Sequence, residues 1–268
     1  MRFDTRRGQL ELERVKEIIK FILFVVLTLA LLVTMVWTFA CSGRASGAKK
    51  QEAADPAVVR PRESLADVQT YPRLVNSEHL LPADYVPPRL TYLRGIPDGT
   101  SVQLNFDAAS AFTLLFNDMV SQGLGIIPLS GYRTYEEQTS IFDYNIKLHM
   151  AEGMSEEDAR AYTLRFVAIP GSSEHQYGRS IDVTIDGTTN HSFQNTEQGK
   201  WLIAHAWEYG FIIRYPSDKE ALTGIAYEPW HLRYVGKDTA KYISENDLCL
   251  EEYIELVKED NPYARPEE

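Results

Sequence analysis

His175, Asp182 and His231 are residues of the types that hold a metal ion, and Glu228 stands three positions before the last of them. They fall in two dense segments, Ser173-Glu174-His175-Gln176-Tyr177-Gly178-Arg179-Ser180-Ile181-Asp182 and Glu228-Pro229-Trp230-His231. Two imidazoles and a carboxylate form a borderline-soft donor set that suits zinc. Three protein ligands leave a fourth position for water, as a catalytic zinc requires. A nearby carboxylate that does not ligate, here Glu228, is what such a site needs as general base. Pro229 argues against a continuous helix through Glu228 and His231, so the helical two-histidine arrangement of common metalloproteases is not expected. These residues read as a zinc hydrolase.

The elements that must position them follow from the pattern of the chain. Residues 181–185 alternate as a strand, with Asp182 near its start, and His231 opens a second strand over 231–235. If the two strands are neighbours, both side chains can share a face, and His175 then arrives from the loop before Asp182, which Gly178 can bend. Asp107 looks like the cap of a helix over 107–122 that aligns Phe112, Leu115, Phe116 and Met119. A short apolar strand over 125–130 leads into Gly131-Tyr132-Arg133-Thr134, and helices are expected over 135–148, from Ser155 onward and over 200–209. A further strand covers 211–215, and Cys249 stands at a helix start. Arg133, at a strand end, could clamp a carboxylate in a fork or neutralise a tetrahedral intermediate. His79, His149, His191 and His205 lie in loops or helices without such company and read as structural. Helices and strands mix without regular alternation. The expected class is α+β, with helices packed on a small, mainly antiparallel sheet.

The 268 residues carry 27 basic against 38 acidic side chains, a formal charge of −11, which argues against a nucleic-acid partner. The two cysteines, Cys41 and Cys249, are not expected to pair, and neither belongs to a cysteine zinc site. Residues 21–40 contain no charge, and about twenty such residues can span a bilayer as a helix. The chain is thus read as an N-terminal mixed-charge segment (1–20), a transmembrane anchor (21–40), a flexible linker (41–69) and a catalytic domain (70–268). Thr38-Phe39-Ala40-Cys41 is a poor lipoprotein cleavage box, so an uncleaved single-pass anchor is expected. Basic residues flank both ends of the run, so charge does not orient it.

At its chemical residues the chain resembles the VanY-type D-alanyl-D-alanine carboxypeptidases, zinc peptidases of bacterial cell-wall metabolism. The family's serine, histidine, glycine and aspartate fall on Ser173, His175, Gly178 and Asp182, with Ser180 where many members have alanine. Its glutamate, tryptophan and histidine fall on Glu228, Trp230 and His231, followed by Arg233-Tyr234-Val235-Gly236. Ser130-Gly131-Tyr132-Arg133-Thr134 with Gln138 is similar to the family's substrate-binding segment, as Leu74-Val75-Asn76 and Leu81-Pro82-Ala83-Asp84-Tyr85 are to its lead-in.

The resemblance, over residues 71–257, implies the α+β fold shared with hedgehog domains, one zinc on His175, Asp182 and His231, and Glu228 as base. It implies a peptidoglycan stem peptide as substrate, with Arg133, Ser173 and Gln138 around its terminal carboxylate or the developing oxyanion. A wall substrate places the catalytic domain on the outer side of a bacterial cell membrane. An endopeptidase of the same fold, or a non-catalytic zinc module that binds wall or protein, are the rival readings. Pentapeptide and tetrapeptide stems are not distinguished.

Overall fold

The computed structural model describes residues 65–267, apart from 67, 98 and 100. The apolar run at 21–40, with the segment before it and the linker up to 64, lies outside the described residues. Among the described residues no helix is long and apolar enough to cross a membrane.

Strand β1 (Thr70–Tyr71) and the hairpin pair β2 (Leu90–Tyr92) and β3 (Gln103–Asn105) precede helix α1 (Phe106–Ser121). Strand β4 (Ile127–Ser130) leads to α2 (Tyr135–Ala151), α3 (Glu156–Leu164), the one-turn α4 (Glu174–Tyr177) and β5 (Ser180–Thr184). Then come α5 (Glu197–His205), β6 (Phe211–Ile213), α6 (Glu220–Thr223), β7 (His231–Tyr234), α7 (Lys237–Glu245), α8 (Leu250–Asp260) and β8 (Arg265–Pro266). The central sheet has four antiparallel strands in the order β4-β5-β7-β6, as the α+β reading expects.

Period-two alternation divides that sheet chemically. Ile181, Val183, Leu232 and Phe211 point to one face and pack with Phe112, Leu115, Phe116 and Met119 of α1 in the main apolar core. Each such buried side chain contributes about 1.5–3 kcal/mol. The residues between them, Ser180 and Asp182 on β5 and His231 and Arg233 on β7, therefore project to the other face. Arg214, just past β6, joins them: its backbone N–H reaches the His231 carbonyl. Ile212 is covered on this second face by a separate cluster that includes Val235, Tyr242, Tyr253 and Ile254. Leu65 and Val68, at the end of the stretch read as linker, pack into that same cluster, so the described fold reaches back before residue 70.

Several boundaries differ from expectation, each for a local reason. The cap of α1 is Asn105, whose side chain accepts from the Asp107 N–H. Its Nδ2 also donates to the Pro88 carbonyl and its N–H to the Gly178 carbonyl, so tertiary bonds select it over Asp107. The stretch expected as one helix to Tyr209 is α5 followed by a tighter 3-10 turn at Ala206–Tyr209, which Gly210 ends in the left-handed region. The segment carrying His175, expected as a loop, closes one helical turn, and Gly178 at φ +74 ends it.

Candidate metal and catalytic site

Asp182 and His231 are direct cross-strand partners in the β5–β7 register, and Ser130 of β4 pairs with Asp182 on its other side. The two ligand candidates thus share a face because the strands are adjacent. Asp182 Oδ1 lies 2.8 Å from His231 Nδ1, and Asp182 Oδ2 lies 3.2 Å from His175 Nε2. One donor atom from each of the three residues falls within 4.8 Å of the others. α4 delivers His175 to this point. Its Nδ1 is 2.7 Å from the Gly131 carbonyl, so that nitrogen carries the proton and Nε2 presents its lone pair to the cluster. A side chain at position 131 would collide with the Gln103 carbonyl, so glycine lets this turn pack against β3. The donor set, its closeness and the assigned His175 tautomer fit a zinc ion.

The cluster lines one end of a cavity of about 270 Å³ that also exposes Glu228, Arg133, Ser173 and Trp230. Glu228 is 9% exposed, and its Oε2 lies 3.9 Å from His231 Nδ1. Its backbone N–H is fixed on the Tyr215 carbonyl, and the His231 N–H returns to the Glu228 carbonyl. These bonds form a tight turn at Pro229, not a helix. Burial pushes the Glu228 carboxyl up to about 8, against the pull of His231 and Arg133. Burial also disfavours the Asp182 anion, but the charges and hydrogen bonds of His175 and His231 hold it well below the usual carboxylate range. A cation on the three ligands would draw Glu228 back toward ionisation.

Arg133 is aimed by its neighbours. One guanidinium nitrogen donates to Gln138 Oε1 at 2.6 Å and another to Ser130 Oγ at 2.9 Å, while its backbone N–H reaches the His175 carbonyl. Gln138 is buried, and its amide nitrogen donates to the Ala168 carbonyl at 2.6 Å. Both ends of that amide are therefore engaged, which makes Gln138 a prop for Arg133. Ser173 occupies the N-cap position of α4 yet makes no side-chain capping bond, and it lines the cavity. His79, His149 and His205 bond to Asn76, Glu152 and Glu208 away from the cavity. His191 stacks between Tyr227 and Trp230.

Reading the sequence missed what stands behind the ligands. Glu174, beside His175 in the chain, borders the same cavity and is held from within the protein. Its Oε1 accepts from Arg214 Nε at 2.8 Å and from an Arg233 guanidinium nitrogen at 2.7 Å. Its Oε2 accepts from Ser180 Oγ at 3.1 Å and lies 3.7 Å from His231 Nε2. Burial alone would raise the carboxyl, but the two guanidinium charges hold it well below the usual range. Arg214 continues as a fork to both oxygens of Glu251 at 2.9 and 2.6 Å. The one available sign was the alternation itself. Arg233 and Arg214 sit at positions of the same parity as the ligand-bearing face of their strands.

Residues 101–237 match the family model described as VanY: D-alanyl-D-alanine carboxypeptidase. A D-alanyl-D-alanine carboxypeptidase of Enterococcus faecalis (strain ATCC 700802 / V583) is 38% identical over 185 residues, covering 69% of this chain and 66% of its own. The crystal structure of a vancomycin-resistance D,D-pentapeptidase, a VanY variant in complex with Zn(II), is 37% identical with a TM-score of 0.60. It covers 68% of this chain and 97% of that one. The LdcB LD-carboxypeptidase structure is 39% identical with a TM-score of 0.60, covering 69% and 86%. The matched span holds all three ligand candidates, Glu228 and Arg133, and on that ground the chain belongs to the VanY family of D-alanyl-D-alanine carboxypeptidases.

Proposed function

We propose that this protein is a zinc carboxypeptidase that removes the terminal D-alanine from peptidoglycan stem peptides. One observation carries the reading. A buried carboxylate, Glu228, stands 3.9 Å from the Nδ1 of His231 beside a three-ligand cluster, and Arg133 faces the same cavity. Zinc, when bound there, supplies a Lewis acid for the scissile carbonyl and makes the attacking water more acidic. Glu228 takes the proton of that water and returns it to the departing amine nitrogen, a role its place beside the ligand cluster suits. Arg133, held by Gln138 and Ser130, pairs with the terminal carboxylate of the peptide. Ser173, whose hydroxyl caps no helix, is available to the same end of the substrate.

Incubating the full-length protein with purified muropeptides, with and without a zinc chelator, tests the reading by mass spectrometry. Chelator-sensitive loss of one alanine is expected, and the stem that shortens, pentapeptide or tetrapeptide, names the specificity. Cleavage of cross-links without loss of terminal alanine would instead assign an endopeptidase. Zinc binding with no cleavage of either kind would assign a binding module.

The charge-free run at 21–40 supports a single-pass anchor in a bacterial cell membrane, and the wall substrate supports a catalytic domain outside it. Full-length protein should sediment with membranes and resist alkaline extraction. Release by alkali would remove the anchor from this reading.

A further inference from the structure

Glu174 takes no part in the chemistry above, yet it occupies the position from which His231 can be oriented. His231 is 3% exposed, and its Nε2 is buried without a hydrogen-bond partner. The nearest carboxylate to that nitrogen is Glu174, with Oε2 at 3.7 Å and its side chain fully enclosed. Glu174 is itself held from three sides by Arg214, Arg233 and Ser180. A buried anion held this firmly accepts an N–H and offers nothing to a lone pair. Arg214 is in turn clamped by Glu251, at the first turn of α8.

We infer that Glu174 is a positioning residue for the metal site: it holds the Nε2–H of His231, so that Nδ1 faces His175 and Asp182 as a ligand. The inference rests on the zinc reading of the cluster. It also makes the two histidines unlike. His175 gives its Nδ1–H to the Gly131 carbonyl and presents Nε2 to the cluster, whereas on this inference His231 aims its Nε2–H at Glu174, 3.7 Å away, and presents Nδ1. Each ring is then fixed from behind by a different acceptor, one a backbone carbonyl and one a carboxylate.

The full-length protein labelled with 15N-histidine and loaded with zinc provides the first test. Long-range nitrogen–proton NMR should show one ligand imidazole protonated at Nδ1 and one protonated at Nε2. Two ligand imidazoles of the same tautomer would overturn the inference, whereas an absence of any zinc-shifted histidine would sink the zinc reading itself. Glu174→Gln provides the second test, with zinc affinity measured by competition against a chelator. Loss of an outer partner of a metal-bound histidine typically costs about 10–100-fold in affinity, and that loss is expected here. The d–d spectrum of the cobalt-substituted variant should change as well. Glu251→Gln disturbs the same charged network at its far end. It should lower Tm while reducing zinc affinity less than Glu174→Gln does, because Arg214 stands between Glu251 and Glu174 and still holds Glu174 through its Nε. Equal losses of affinity in both variants, or a Glu174→Gln protein that binds zinc as tightly as the parent, would show the network to be structural only. Should Glu174→Gln fail to fold, the tautomer measurement on the unaltered chain still decides.

Discussion

Two carboxylates in one cavity are driven in opposite directions by their surroundings. Asp182 sits between two imidazoles and is held ionised, while Glu228 has an apolar burial and only partial compensation, so its carboxyl is pushed up to about 8. In the proposed reaction the first serves as ligand and the second transfers the proton. Glu228→Gln keeps the shape and loses the base. Zinc affinity should stay near that of the parent while kcat falls by about 10²–10⁴-fold, the usual worth of a positioned general base. Equilibrium dialysis with a steady-state assay checks both halves, and a variant that keeps its kcat would exclude Glu228 as the base. Arg133→Lys removes the fork but keeps a charge. Losing charge-assisted bonds of about 1.5–3 kcal/mol should raise KM by about 10–100-fold. A kcat effect with unchanged KM would move Arg133 from the substrate carboxylate to the transition state. At this scale the sequence was informative about the groups that face the cavity, because two short segments hold the ligands and the base. It was silent about Glu174, Arg214 and Arg233. A charged residue in a strand ordinarily reads as solvent-facing, and only the tertiary meeting of three of them makes burial affordable.

Among the elements, the strands and the longer helices were legible because their periodicity follows from burial on one face. The one-turn α4 was not, since four residues are too few to show a period, and its turn is held by tertiary bonds from the Arg133 N–H to the His175 carbonyl and from Gln176 Nε2 to the Pro82 carbonyl. Gly178 is the hinge of that arrangement. Its φ of +74 lies in the left-handed region, and a Cβ there would stand 2.7 Å from Pro87. Gly178→Ala should cost at least about 1–3 kcal/mol, read by denaturant unfolding, and should weaken zinc binding as His175 is displaced. Stability equal to the parent would show that the turn relaxes freely.

A second test belongs to the join between α1 and the turn before β6. Tyr209 donates to Asp118 at 2.5 Å, and burial together with that bond pushes the phenol up to about 12. A folded pKa above the unfolded value of 10.0 stabilises fully below pH 10 and is lost as pH rises toward about 12. The same bond holds Asp118 below its ordinary range, so its share is present above the unfolded carboxylate pKa and lost as pH falls through the folded one. The Tm gap between parent and Tyr209→Phe should therefore be widest near neutral pH and narrow at both extremes. A gap independent of pH would mean the hydroxyl contributes by packing alone.

Across the whole molecule, the described fold is closed by contacts between its first and last residues that no local pattern announces. Strands β1 and β8 are two residues each, pair in parallel, and lie almost the full length of the domain apart in sequence. Around them the Leu65 N–H reaches Asp260, Asn261 reaches the Val68 carbonyl, and Arg265 and Glu267 donate to the carbonyls of Gln69 and Tyr71. Glu267 also accepts from Arg179 at 2.7 Å, which ties this edge to the residue that precedes β5 and the ligand Asp182. The first and last described residues therefore lie side by side. Removing residues 262–268 deletes the Arg265 and Glu267 bonds and the Arg179 pair but leaves Asp260 and Asn261. At about 0.5–1.5 kcal/mol net for each hydrogen bond, and no more than about 1 for a partly exposed ion pair, the loss should be roughly 1–4 kcal/mol. For a domain of this size that lowers Tm by about 2–16 °C, measurable by calorimetry. The site residues keep their own supports, since Asp182 is held by its β4 and β7 neighbours and His175 by Gly131. Zinc affinity and alanine release at 25 °C should accordingly persist in the shortened protein. A truncated chain with unchanged Tm would mean that the edge contacts add nothing to the fold. One that keeps its Tm but loses zinc would mean that Arg179 and Glu267 govern the ligand strand directly.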